Sequence, residues 1–216
     1  MRIRTSIAFV AFLLLASCMP LSKPGVPTEK RTESGALPSI ASDAPLERLL
    51  PTGILEIGDR DAPLTLLLFT EYHCHYCREF AGDHLPKLLR DFVATKKLRL
   101  QIAILPLKKY SLSEPTAIAA LCAAAQGKGL AMHAKLLGNL EKDTDAIASY
   151  AEELKLEMKL FKECVASDDA KGKIEMQKSL ARSLDVTLVP TLFLNGEKSV
   201  GLPYWPDLRG MIEEKT

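Results

Sequence analysis

Apolar positions beyond residue 50 recur with two different periods. "GILEIG", Gly53 to Gly58, has the length of a short strand. "LTLLLFTEY", from Leu64 to Tyr72, is an unbroken apolar run of the kind found in a strand buried on both faces. In "REFAGDHLPKLLRDFVAT" the period lengthens: Phe80, Leu85, Leu88, Leu89, Phe92 and Val93 fall at helical spacing. "LRLQIAILPL", Leu98 to Leu107, is again a strand, so this part of the chain predicts a βαβ unit. From Ser113 to Leu184 the pattern is helical throughout, opening on "SEPTAIAALCAAAQ" with a Ser cap and an early Pro. Strand character returns in "PTLFLNGEKSVGL", where Asn195-Gly196 is a strong hairpin cue, and "WPDLRGMIEEK" closes with a helix.

The N-terminus follows a different pattern. Arg2 and Arg4 precede "IAFVAFLLLA", an apolar core too short to span a bilayer stably but of the form of a secretory signal. It ends in "LASC", Leu15 to Cys18, which resembles the bacterial lipobox. We therefore expect a signal peptide over residues 1–17, lipidation at Cys18, and a proline- and serine-rich tether over 18–50 that holds the folded part at a membrane. An oxidising compartment follows from export, and with Cys18 lipidated an even number of cysteines remains: Cys74, Cys77, Cys122 and Cys164.

Composition narrows the function. Lys plus Arg number 28 against 27 Asp plus Glu. That balance argues against a nucleic-acid partner, which needs a basic surface to neutralise phosphates. No phosphate-cradling glycine loop and no paired-histidine metalloprotease motif occurs.

The chemistry concentrates in "EYHCHYCRE", Glu71 to Glu79. Haem attachment fails, because a histidine must follow the second cysteine and Arg78 stands there. Structural zinc would need a second closely spaced ligand pair, whereas Cys122 and Cys164 are far apart in helical patterns. His73 and His75 flank Cys74 but leave an extended backbone on different faces from it; no metal is expected, with copper held by His73, Cys74 and His75 as an alternative. A dithiol fits best. Cys74, between a buried strand and a helix, has its sulfur beside free N–H groups and the positive end of the helix dipole. Cys77, on the first turn, is shielded by the helix body. Cys74 is then the attacking sulfur and Cys77 the resolving one.

Taken together, the strand, "FTEYHCHYCREF", the helical block and "VTLVPTLFLNG" resemble the DsbA-like family of exported thiol:disulfide oxidoreductases. The resemblance covers Gly53 to the C-terminus. It implies an α/β, thioredoxin-like fold (51–112 and 185–216) interrupted by a helical subdomain (113–184). It also implies a cis-proline facing the dithiol at Pro190, with Val189 before it helping to hold the substrate peptide. Two departures stand out. The residues between the cysteines are His75-Tyr76 rather than Pro-His, which bears on redox poise. Many relatives also carry a buried acid six positions before the first cysteine, where this chain has Leu68. Glu71 either takes over proton transfer or is a surface glutamate. His75 is expected to stabilise the thiolate from an exposed loop.

The expected activity is exchange of the Cys74–Cys77 disulfide with reduced, unfolded exported proteins, as an oxidase without a cofactor. A quinone-linked membrane oxidase or a reductase would be the redox partner. The alternatives are a disulfide reductase or isomerase, and a copper-binding lipoprotein. Cys122 and Cys164 form either a second disulfide, which parity favours, or two buried free thiols. His84 and His133 are expected as surface or packed residues, and Lys108-Lys109 as a solvated loop.

Overall fold

The structure, a computed structural model, describes residues 46–216. The expected signal segment, Cys18 and most of the tether lie outside the described residues.

Strands β1 (Glu47–Leu49), β2 (Leu55–Ile57), β3 (Leu64–Thr70), β4 (Leu98–Ile104), β5 (Thr191–Leu194) and β6 (Glu197–Val200) form a central mixed sheet in the order β1-β2-β4-β3-β5-β6. Its inner strands are β3 (Leu64–Thr70) and β4 (Leu98–Ile104), paired in parallel with Leu66 opposite Leu100 and Leu68 opposite Ile102. The parallel pair requires a crossover, supplied by α1 (His75–Asp83), α2 (Leu85–Leu88) and one π turn (Leu89–Val93). Leu64, Leu66 and Leu68 face the larger core, while Leu67 and Phe69 face a smaller one with Ile54, Ala103 and Phe193. Burial on both faces is why β3 reads as an unbroken apolar run.

The crossover reads as one helical period but is broken. Pro86 has no N–H to offer the carbonyl one turn back, and the chain leaves α1 at His84, whose N–H closes on Phe80 O at 2.9 Å. His84 is buried, stacked on Phe80, with Nε2 2.9 Å from Pro203 O.

Between β4 and β5 (Thr191–Leu194) lie five helices: α3 (Ser113–Ala124), α4 (Gly129–Gly138), α5 (Thr144–Glu153), α6 (Met158–Ala166) and α7 (Asp168–Ser183). A disulfide joins Cys122 on α3 to Cys164 on α6. α3 is buried almost all round because alanines dominate it and let its neighbours approach closely. Gln177 ties α7 to the sheet: its Oε1 accepts from Ile104 N–H at 2.6 Å and its Nε2 donates to Gly53 O at 3.0 Å. β5 and β6 (Glu197–Val200) form the expected hairpin. Asn195 and Gly196 both take positive φ there, 46° and 90°, as a two-residue turn matched to strand twist requires. α8 (Trp205–Glu213) completes the chain.

One expected boundary moves. The stretch assigned to the tether as far as residue 50 includes β1 (Glu47–Leu49), antiparallel to β2 (Leu55–Ile57). Glu47 ties β1 to the helical block. Its carboxylate accepts from Gly129 N–H (2.6 Å) and Leu130 N–H (3.0 Å), filling the open N-terminus of α4 with a negative charge. Arg48 pairs with Glu56 at 2.7 Å on the neighbouring strand. A proline- and serine-rich composition gives no hint of pairing made by side chains to partners so far along the chain.

His133 on α4 is fully enclosed and meets Tyr72 Oη through Nδ1 at 3.2 Å. Burial pushes its imidazole down to about 4, against about 6.5 for an exposed histidine. Between these values the unfolded chain binds a proton that the native protein refuses. Stability is therefore fully present above about pH 6.5 and declines as pH falls towards 4, by about 3 kcal/mol if the whole shift is realised. Urea midpoints at pH 7 and pH 4.5 should differ more in the wild type than in His133→Gln. Equal differences in the two proteins would show that His133 does not carry the acid sensitivity.

Candidate active site

The site forms where β3 ends and α1 begins. The chain leaves the sheet at Thr70, and the Glu71 carbonyl accepts from Cys74 N–H at 3.3 Å, turning the backbone into the helix. Cys74 is the N-cap of α1, in extended conformation (φ −78°, ψ 126°), and no side chain caps this helix. The first-turn N–H groups thus remain open, and the Cys74 sulfur is the group placed to use them. Both thiols are free; Cys74 is partly exposed and Cys77 is buried at 1%.

The two sulfurs are electrostatically unequal. The Cys74 thiol is lowered to about 6, chiefly by a hydrogen bond from the Cys77 thiol, then by the backbone N–H groups of Cys77 and Tyr76; burial and the Glu71 charge oppose them. Cys77 is driven strongly upward, because ionising it would forfeit its bond to Cys74 and place a charge in the core; the Thr70 hydroxyl only partly compensates. One proton shared between the sulfurs resides on Cys77, leaving Cys74 as the thiolate.

Facing them is the loop before β5. The Val189-Pro190 peptide bond is cis, and Val189 O lies 3.4 Å from Cys74 Sγ. The structure thus places the N-terminal CxxC and a loop 115 residues further on in direct contact. Leu188, just before, is exposed.

His75 does not sit over the sulfur. Its side chain is 77% exposed and its Nε2 points towards Glu79 Oε2 at 3.9 Å, while the ring lies edge-on to Tyr76. The main stabilisation of the Cys74 thiolate therefore comes from Cys77 and the helix N–H groups rather than from this imidazole. His73 turns the other way: Nδ1 bonds Glu71 Oε1 at 2.9 Å, and the ring stacks on Tyr110. The three groups weighed for copper therefore do not converge. Among the described residues no cluster of three or more His, Cys, Asp or Glu side chains is placed to hold a metal.

The surface reading of Glu71 fails, since the residue is 0% exposed. Its carboxylate accepts from Ser113 Oγ (2.6 Å), His73 N–H (2.7 Å) and His73 Nδ1. Ser113, expected as a helix cap, serves a different purpose. Its oxygen accepts from Leu107 N–H and its proton goes to Glu71, while Leu112 is the N-cap of α3. Nothing in the sequence points from residue 71 to residue 113, so Ser113, His73 and Tyr110 escape a reading of the sequence alone.

Comparison with known proteins agrees with this fold. A thioredoxin family model matches residues 50–214, and the chain belongs to that family. Its fold, thioredoxin-like with the helical insertion expected from the sequence, is that of BdbD from Bacillus subtilis: TM-score 0.69, 19% identity, 80% of this chain and 98% of that one. A periplasmic thioredoxin-like protein from Salmonella enterica serovar Typhimurium superposes with TM-score 0.64 at 25% identity, covering 76% and 90% of the two chains. In sequence, the chain is 30% identical over 148 residues to Na(+)/H(+) antiporter NhaA 3 of Salinispora tropica, across 68% of this chain. It spans only 22% of the length of that antiporter.

Proposed function

We propose that the protein is an extracytoplasmic thiol-disulfide oxidoreductase that donates its Cys74–Cys77 disulfide to reduced, unfolded exported proteins. The inequality of the two sulfurs supports this reading most. In the oxidised protein a substrate thiolate attacks Cys74 Sγ; the substrate–Cys74 bond forms and the Cys74–Cys77 bond breaks. Cys77 leaves as a thiolate and takes a proton, consistent with its strongly raised value. A second substrate thiolate then attacks the substrate sulfur of the mixed disulfide and expels Cys74 as the stabilised thiolate. The substrate dithiol becomes a disulfide, and the enzyme, now a dithiol, requires reoxidation by a membrane partner that passes the two electrons on. Val189 and Pro190, against Cys74, are assigned to holding the extended substrate backbone.

Stabilising Cys74 as the thiolate favours the reduced protein, and so an oxidising disulfide. Equilibrium against glutathione should give a potential more oxidising than thioredoxin's, about −270 mV, on the side of strong oxidases at about −120 mV; a value at or below thioredoxin's would make the protein a reductase. Membrane attachment is assigned to a lipid on Cys18, from "LASC" at the end of the apolar core. The intact mass of protein from bacterial membranes should correspond to a chain beginning at Cys18 with a diacylglyceryl group. A product that begins elsewhere and carries no lipid would remove the anchor from this proposal.

A further inference from the structure

The carboxylate of Glu71 lies behind the nucleophile, in a place where a charge needs a reason. It is wholly buried, and the arginine and lysine nearby do not pair with it. Lys142 Nζ donates to the carbonyls of Asn139 and Leu140, and Arg78 Nε donates to Leu137 O. His73 N–H donates to Oε2 and the Ser113 hydroxyl to Oε1, and His73 Nδ1 lies 2.9 Å from Oε1. The orientation of the Ser113 hydroxyl is fixed from the other side, because its oxygen already accepts from Leu107 N–H at 3.0 Å. The site therefore offers a donor to each carboxylate oxygen. Glu71 is also three residues from Cys74: its backbone carbonyl accepts from Cys74 N–H at 3.3 Å, and its carboxylate accepts from the N–H of His73, the residue before Cys74.

We propose that Glu71 is a positioning residue, a fixed negative charge held by Ser113 and His73 that restrains the Cys74 thiolate and so moderates the oxidising strength of the dithiol. The inference rests on the thiol-disulfide function argued above. A like charge close by and shielded from water disfavours a second one, and in a protein interior the effect is little weakened by salt. The helix N-terminus and the Cys77 thiol draw Cys74 towards the anion; Glu71 sets how far. Its carboxylate also spans two parts of the fold, β3 through its own backbone and the start of α3 through Ser113. The helical insertion therefore holds the charge in place.

The test is the pH titration of Cys74 thiolate absorbance in the reduced protein, in the wild type, Glu71→Gln and Glu71→Asp. Charge and scaffold make opposite predictions. If Glu71 acts through its charge, Glu71→Gln titrates at lower pH, with a threefold to tenfold larger thiolate-to-thiol ratio, on the order expected for one nearby charge. Its glutathione equilibrium moves the same way, towards the reduced protein, and Glu71→Asp stays near the wild type. If Glu71 only holds the turn together, Glu71→Gln loosens the helix N-terminus and Cys74 titrates at higher pH, which overturns the proposal. An unchanged titration overturns it equally.

Should Glu71→Gln fail to fold, the wild type answers through reciprocity. The carboxyl carbon resonance of Glu71 should shift as Cys74 ionises, near pH 6, in the reduced protein and not in the disulfide form. A resonance that ignores Cys74 ionisation refutes the coupling. These readouts do not depend on substrate turnover. A protein that shows the coupling yet fails to oxidise thiol substrates would leave Glu71's role standing and remove the oxidase reading.

Discussion

Cys77→Ala should accumulate covalent complexes with substrate proteins through Cys74, whereas Cys74→Ala should exchange no disulfides at all. The asymmetry follows from position. Cys74 is the only one of the pair with solvent access, and it is the sulfur that meets Val189, where an extended chain would lie. With its thiol lowered to about 6, about 90% of Cys74 is thiolate at pH 7, against a few per cent for an ordinary cysteine. Cys77 is enclosed, so no protein thiol reaches it; it leaves when a substrate thiolate attacks Cys74, and in the reverse direction it attacks Cys74 Sγ in a mixed disulfide and releases the substrate. Removing it blocks that escape and leaves the Cys74–substrate bond standing. In Cys77→Ala the Cys74 thiolate also loses its largest stabilising contribution, the Cys77 hydrogen bond, so its titration should move up from the wild-type value while staying below that of free cysteine. Non-reducing gels of each variant with an unfolded substrate that carries a disulfide give the first result, because the Cys74 thiolate forms the mixed disulfide by expelling one substrate thiolate, and thiolate absorbance against pH gives the second. Complexes trapped by Cys74→Ala would reverse the assignment of attacking and resolving sulfur.

Much of this could be read from the residues, and the limits have physical causes. Periodicity carried the order of elements, because the strands of a doubly covered sheet and an amphipathic crossover differ in their repeat. Asn195-Gly196 gave the hairpin, since few other residue pairs accept two positive φ values in a row. The break at His84 lay hidden under an intact apolar period: α1, α2 and the π turn keep one buried face even though their hydrogen bonding changes at Pro86. β1 carries the composition of a tether because its three residues show no pattern of their own; Glu47 binds it to the distant α4 and Arg48 to Glu56 on the neighbouring strand. The charge behind the nucleophile was the hardest part to see. Glu71 ends an apolar strand, a position equally suited to a solvated residue. What makes it a buried carboxylate is a hydroxyl at Ser113 that arrives only when the helical insertion packs back on the sheet. Local sequence signals cover caps, turns and periods, and pairings closed by tertiary packing lie beyond them.

Replacing both Cys122 and Cys164 with alanine should lower unfolding free energy by about 2–4 kcal/mol, with little effect on exchange at Cys74. The bridge closes a sequence separation of 42, so in the chain-entropy account it removes many conformations from the unfolded ensemble, and the upper part of the range is expected. Cys122 is fully buried among the alanines of α3, so its truncation also leaves a small void and adds to the loss. Cys164 lies in α6, where Phe161 is buried while Met158 and Val165 are only partly covered by the core. The loss should therefore be local first. In the double variant, amide exchange in α5 and α6 should quicken before that of β3 and β4, because the sheet keeps its own core. Urea unfolding of the oxidised wild type and the double variant measures the energy, and hydrogen exchange maps its location. Reducing agent is no substitute for the variant, because it would also open Cys74–Cys77 and mix the two effects. Alkylation mapping of the oxidised wild type supplies the decisive check. If Cys122 and Cys164 react as free thiols, or if the urea midpoint of the double variant matches the wild type, the bridge does not hold the helical insertion together.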